Sequence, residues 1–478
     1  MLRLGVDLGT GSTKALLLDA AGEVAGTGSA PHPVRAPRPG WAESDPEDWW
    51  DSAVAAVRSA VGGRGGEVEA LGLAGQMHGV VLAGDDGEAR RPAILWADAR
   101  AHEEAAAYRG LRDELSAALG NPPTAGMAGP ILAWLRTHEP GPYGAARWAL
   151  QPKDWLRLRL TGAAATDPSD ASGTLLFDLR ADAWSAAVVD ALGLRAGLLA
   201  PIRPSGARAG ALQAAAASEL GLRPGIPVAV GAADTAAAAL AGGPLGDGAG
   251  QLTVGTGAQL LVSSPEGRPD PAQRTHLFRA AAPGAWYALA AMQNAGLALE
   301  WCLRALGRDW AWAYAAAFAE PAGARGVTFL PYVSGERTPH LDPHARGGWV
   351  GVGLDHGPGT LMRAALEGVA FSIRDGLDAL QDAGHRVATL RLVGGGTLDL
   401  RWRQLLADVL ARPLAAVDVP AASARGAALL AGQPAGHAAQ PRAAAIGPMV
   451  EPRDAGAYVA ALEQFRDRSR AVRGAGLQ

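Results

Sequence analysis

Leu4-Gly5-Val6-Asp7-Leu8-Gly9-Thr10-Gly11-Ser12-Thr13-Lys14-Ala15-Leu16-Leu17-Leu18-Asp19 decides how the rest of the chain is read. Apolar residues run into Asp7, two glycines let the backbone reverse, and a second apolar run leaves, which predicts strand, tight turn, strand. Gly9 and Gly11 allow main-chain N–H groups to point into one concavity, while Thr10, Ser12 and Thr13 add hydroxyls and Lys14 adds positive charge. That combination suits a phosphate. A P-loop requires Gly-Lys-Ser/Thr at the opening of a helix, whereas Thr13-Lys14-Ala15 enters a strand; a dinucleotide fingerprint also requires a helix, and a third glycine. Asp7 is a carboxylate among groups suited to an anion, the place for a residue that holds a cation.

Taken alone, the turn would be an ordinary hairpin. A second copy changes its weight: Gln251-Leu252-Thr253-Val254-Gly255-Thr256-Gly257-Ala258-Gln259-Leu260-Leu261-Val262 repeats strand, Gly-Thr-Gly turn and strand, with Gly255 standing 246 residues after Gly9. The repeat predicts two related lobes, each presenting a phosphate hairpin. A nucleotide gripped between two such hairpins is the arrangement of actin-like ATPases and sugar kinases, and the pattern resembles the FGGY family of carbohydrate kinases. The expected fold is therefore α/β, two actin-like (ribonuclease H-like) lobes with a nucleotide and sugar cleft between them. Gly242-Gly243-Pro244-Leu245-Gly246 makes the natural boundary, giving a sugar-binding lobe over residues 1–245, a nucleotide-binding lobe over 246–435 and a terminal linker and helix over 436–478.

The 478 residues, 49% of them apolar, are enough for two cores. A net charge of −4 leaves no basic footprint for nucleic acid. Of 43 basic residues only Lys14 and Lys153 are lysines, and Cys302 is the single cysteine, which excludes an internal disulfide or a cysteine metal cluster. No apolar run has the length of a membrane span and no signal sequence precedes the first strand, so a cytoplasmic protein without membrane attachment is expected.

Asp45 before Pro46, Glu47 and Asp48 predicts a helix start, with the helix running to about Val61. The strand Val68 to Gly75 ends in Gln76-Met77-His78-Gly79, polar groups at a strand end where α/β proteins bind ligands. Trp96, Asp98 and Arg100 alternate after Ala93-Ile94-Leu95 and would share one face, a ring platform with polar partners, if the strand continues; the competing reading is a core tryptophan and a surface ion pair. Pro152-Lys153-Asp154 reads as a helix capped by Asp154, and Asp170, in a turn-rich loop, either faces a cleft or caps a helix. Asp234, after a buried-type strand ending at Gly231, opens an alanine-rich helix whose dipole favours its ionised form. A capping aspartate would suffice there, but such a carboxylate can also accept a hydroxyl proton. In the second half, Phe329 to Val333 leads into a long polar loop through Ser334-Gly335-Glu336-Arg337-Thr338-Pro339-His340, and Gly394-Gly395-Gly396 leaves a backbone on which a base or ribose can lie. Leu414 to Val417 and a helix opened by Gly426-Ala427-Ala428 would complete the second lobe, followed by a polar helix from Ala455 to Arg470.

These motifs occur in FGGY order along nearly the whole chain, and they are similar to the family members that phosphorylate D-xylulose. That resemblance implies transfer of a phosphoryl group from ATP, with Mg²⁺, to the 5-hydroxyl of D-xylulose. It implies Asp234 as general base, with Asp7 and Asp234 at the metal, and Gln76, Met77, His78, Trp96, Asp98 and Arg100 at the sugar. Thr10, Gly11, Ser12, Lys14, Gly255, Thr256, Gly257, Gly395 and Gly396 would serve the nucleotide, and a homodimer is compatible with it. The sequence departs from the family at Ile131, where a lysine is common, and at Thr235, where many relatives carry Asn. Glycerol, ribulose or gluconate kinases are the nearest alternatives. An actin-like ATPase regulator would share the hairpins without needing the Gln76-to-His78 and Trp96-to-Arg100 clusters, and an idle sugar-binding scaffold would not need Asp234.

Overall fold

In a computed structural model, residues 2–243, 245–246, 248–394, 399–434, 436 and 446–474 are described. The chain packs as two compact units: Met1–Pro244 with Phe278–Ala285 and Val419–Ala444, and Leu245–Leu277 with Trp286–Asp418 and Ala445–Gln478.

The first unit is built on a sheet in the order Arg208–Ala211, Pro227–Ala229, Val68–Gly75, Leu2–Leu8, Ser12–Leu18, Val24–Pro31. Its first three strands in sequence are antiparallel neighbours, Val68–Gly75 and Pro227–Ala229 join in parallel, and Arg208–Ala211 closes the edge antiparallel. Alternation along the hairpin splits its side chains between two cores. Leu4, Val6, Leu8, Ala15 and Leu17 pack with Trp49, Trp50, Val57 and Trp155, while Leu16 and Leu18 face Ala424, Ala428 and Leu429. The first core is supplied by the helix Pro46–Val61, started by Asp45, whose side chain accepts from Glu47 N–H, and ended at Gly62 in the left-handed region.

The helix Ala422–Ala431 covers the opposite face: although it follows the second sheet in the chain, it packs within the first unit. Gly5 and Gly72 are paired across two strands, and a methyl group on either would stand 1.9 Å and 2.0 Å from the carbonyl oxygens of Ala424 and Ala427. Only residues without a side chain let the helix lie that close to the sheet.

The second unit repeats the same plan in the order Trp286–Met292, Ala258–Ser263, Ala249–Val254, Thr389–Val393, Leu414–Val417, Ile446–Val450. Again three consecutive antiparallel strands meet two parallel ones and an antiparallel edge. The internal repeat read from two Gly-Thr-Gly turns is thus a repeat of whole sheets. The edge strand Ile446–Val450 was not foreseen, and the terminal helix is Val459–Gly474.

Candidate active site

Three parallel strand ends converge on one edge of the first sheet. Asp7 and Leu8 lie beside Ala74 and Gly75, which in turn pair with Ala232 and Ala233. Asp7, the Gln76-to-His78 segment and Asp234 therefore issue from adjacent strand ends, the position where open α/β sheets bind ligands.

At the first hairpin Gly9 N–H donates to Ser12 O (3.1 Å) and His32 N–H to Gly11 O (3.1 Å), which fixes the turn. Lys14 is exposed and sits opposite Asp7 in the register. Thr13 is fully buried, so its hydroxyl does not join the proposed cradle. Gln76 and Trp96, expected at the sugar, both brace this turn: Gln76 N–H donates to Leu8 O (2.9 Å) and Gln76 Nε2 to Gly9 O (3.3 Å), and Trp96 Nε1 donates to Thr10 Oγ1 (2.9 Å).

Asp7 Oδ1 is buried without a hydrogen-bond partner. Burial, reinforced by the nearby Asp234 carboxylate and opposed by Lys14, pushes its pKa up to about 7. Asp234 is the first residue of the helix Asp234–Ala241 and does not cap it, since Ala233 holds the cap position. Burial raises Asp234 to about 6, moderated by Thr235, whose N–H (2.6 Å) and hydroxyl (3.2 Å) both donate to Asp234 Oδ1. The Thr235 departure thus places a hydroxyl directly on the candidate base. Two adjacent carboxylates that resist ionisation together are a pair a cation would relieve. Among the described residues no group of three or more His, Cys, Asp or Glu side chains is placed to hold a metal ion. The pair still fits Mg²⁺, which takes one or two carboxylates and completes its shell with water and phosphate oxygens.

His78 has φ of +74°, rare for a residue with a side chain, in a three-residue turn closed by Gly79 N–H to Met77 O (2.9 Å). Its Nδ1 lies 2.7 Å from Gly173 O; a carbonyl only accepts, so Nδ1 carries the proton and Nε2 is the acceptor in the neutral ring. A methyl group on Gly173 would come within 2.9 Å of the His78 ring and 3.0 Å of the Met77 methyl. Gly173, which sequence reading passed over, is where both candidate sugar residues rest.

Asp98 and Arg100, expected at the sugar, form an ion pair. Both are buried, Arg100 Nε and Nη2 donate to the two Asp98 oxygens (2.9 and 2.7 Å), Arg100 Nη2 also meets Glu43 (2.7 Å), and the Arg100 guanidinium lies over Trp41 at 3.5 Å. Asp98 Oδ2 additionally accepts from Ala42 N–H (2.6 Å). They pair with one another and with Glu43, an ion pair in the interior instead of on the surface, while Arg100 Nη1 is buried without a hydrogen-bond partner. Asp154 is likewise no cap: the helix Pro152–Thr161 starts after Gln151, and Asp154 and Asp170 both join a buried cluster around Lys153. A single lysine among three aspartates within 18 residues was the available signal.

In the second unit Gly255 N–H donates to Gly257 O (2.9 Å), and the exposed turn rests on the start of the helix Gly296–Leu306 through Gly296 N–H to Gly255 O (2.9 Å) and Leu297 N–H to Thr256 O (3.0 Å). Glu336, in the long loop, accepts from Gln293 N–H (2.6 Å) and Arg337 N–H (2.8 Å), and burial raises its pKa to about 7. Gly395 and Gly396 lie outside the described residues. No helix among the described residues is long and apolar enough to cross a membrane.

Repeated sheets with phosphate-type hairpins and a buried carboxylate pair at converging strand ends define a phosphotransferase class of protein. Residues 2–241 match the N-terminal domain and residues 250–433 the C-terminal domain of the FGGY family of carbohydrate kinases, and the chain belongs to that family. It is 36% identical to the xylulose kinase of Escherichia coli over 414 residues, 86% of this chain and 85% of that protein. It is 35% identical to the xylulose kinase of Streptomyces coelicolor, covering 94% and 92%. The crystal structure of xylulose kinase from Rhodospirillum rubrum superposes with a TM-score of 0.89 at 32% identity, covering 99% of each chain.

Proposed function

We propose that this chain transfers the γ-phosphoryl group of ATP to the 5-hydroxyl of D-xylulose. The observation that carries the reading is the Asp7–Asp234 pair at adjoining strand ends beside the first hairpin; the xylulose kinases among its relatives supply the sugar. Asp234 accepts the proton of the attacking hydroxyl, and Thr235 orients its carboxylate. Asp7, with Asp234 beside it, would hold Mg²⁺, which when bound neutralises phosphate charge. Thr10, Gly11, Ser12 and Lys14 are assigned to phosphate oxygens, as are Gly255, Thr256 and Gly257; Gly395 and Gly396 are assigned to the nucleoside. His78 accepts a sugar hydroxyl through Nε2, and Met77 gives an adaptable apolar wall. Gln76 and Trp96 support the turn. The protein works in the cytoplasm, and a homodimer is proposed.

The test is a panel of ketopentoses, glycerol and gluconate with coupled detection of ADP, run beside Asp234→Asn. D-Xylulose should give the highest kcat/KM, and the variant should lose roughly 10²–10⁴ in kcat while remaining folded. Another preferred acceptor would replace the substrate assignment; a folded variant with ordinary kcat would remove the base.

A further inference from the structure

Behind the candidate site lies a charge cluster that the proposed reaction does not use. Lys153 Nζ meets Asp154 Oδ1 (2.5 Å), Asp167 Oδ1 (2.9 Å) and Asp170 Oδ2 (2.8 Å), and all four side chains are completely buried. Arg157 joins through Asp154 Oδ1 (2.8 Å) and also holds the carbonyls of Val230 (2.8 Å) and Ala165. Burial and the neighbouring carboxylates drive Asp170 well above the usual range despite Lys153.

A buried ion cluster gives little net stability over an apolar core of the same volume, so its value must be sought in what it fixes. Two threads leave it, one from each end of the segment Asp167-to-Gly173. At one end, Asp167 Oδ2 accepts from Ser169 Oγ (2.5 Å) and Ser205 Oγ (2.7 Å), and Ser169 Oγ in turn accepts from Ala233 N–H (2.9 Å), the residue before Asp234. At the other, Asp170 is followed after two residues by Gly173, whose carbonyl holds His78 Nδ1.

We propose that Lys153 is a positioning residue: by clamping Asp167 and Asp170 it sets Asp234 through Ser169 and His78 through Gly173, coupling the placement of the proton acceptor to that of the sugar. This rests on the reading of Asp234 and His78 given above. It deepens that reading by naming what registers the two against each other.

Two variants and a reference test it. Ser169→Ala cuts only the thread to Ala233, and should lower kcat roughly 10-fold while KM for D-xylulose stays within about twofold, because the His78 thread is intact. Lys153→Met combined with Asp170→Asn removes the clamp and one formal charge of each sign, and should both lower kcat and raise KM for D-xylulose roughly 10-fold, with KM for ATP unchanged. General loosening of the unit would not produce that split. Wild-type kcat and sugar KM in the folded variants, or an equal rise in both KM values, would overturn the proposal, and Ser169→Ala alone decides if the double variant does not fold. Asp234→Asn separates the failures: if it is inactive while the other variants behave as wild type, the positioning role falls and the base assignment stands; if it is active, the base assignment itself falls.

Discussion

Asp7→Asn should make the ligand-free protein gain stability relative to the wild type as pH rises. In the fold Asp7 has a pKa of about 7 against an ordinary 3.8, because it is buried and faces Asp234. Its folded-state pKa is raised, so the native state holds the proton longer than the unfolded chain does. The contribution of Asp7 to stability is intact below 3.8 and is lost as pH climbs through 7. At 1.36 kcal/mol per pH unit, the wild type loses ~2 kcal/mol by pH 5 and ~4 kcal/mol by pH 8. Asparagine does not titrate; burying its amide costs roughly 1–3 kcal/mol, but equally at both pH values. The stability difference between variant and wild type should therefore widen by ~2 kcal/mol from pH 5 to pH 8, trimmed somewhat by the partial exposure of the residue. Calorimetry at the two pH values reads this as a Tm difference that grows by roughly 4–8 °C for a unit of this size. Mg·ADP should raise the Tm of the wild type more than that of the variant, because the cation needs the carboxylate. A Tm difference that is the same at pH 5 and pH 8 would refute the claim that Asp7 is a burdened carboxylate at the site.

Because Asp234 must be ionised to accept a proton and its pKa in the free protein is about 6, kcat/KM for the sugar should rise about tenfold per pH unit below 6 and level off above; a flat profile from pH 5 to 7 speaks against it. His78→Ala should raise KM for D-xylulose far more than KM for ATP and narrow the gap to its epimer D-ribulose, whereas a selective loss of ATP affinity would move His78 to the nucleotide. Gly173→Ala should raise sugar KM with little change for ATP, since the added methyl falls within 3.0 Å of both the His78 ring and Met77; unchanged kinetics would mean that neither side chain reaches the sugar.

What could be read from the sequence was whatever depends on local pattern. The hairpin at Gly9, its repeat at Gly255 and the capped helix at Pro46 are specified by residues within a few positions of one another, so turn chemistry and periodicity are enough. The helix Ala422–Ala431 follows the second sheet in chain order, but the surface it packs on is encoded some 400 residues away. Gly5 and Gly72 leave the sheet bare where Ala424 and Ala427 approach, and nothing near the helix announces that complementarity.

Charged residues were misread for a related reason. Asp98 with Arg100, and Lys153 with Asp154, look in sequence like polar groups available to a ligand, to solvent or to a helix end, since a charge is rarely buried unless paired. Their partners come from elsewhere in the chain: Glu43 for Arg100, Asp167 and Asp170 for Lys153. Asp7 and Asp234 differ from them in one physical respect. The largest influence on the Asp7 carboxylate after burial is another carboxylate, Asp234, with Lys14 opposing it. A carboxylate whose charge is already matched by protein cations belongs to the scaffold. One left uncompensated costs stability at neutral pH, and such a cost is tolerated where a ligand cation and a reacting hydroxyl complete the site.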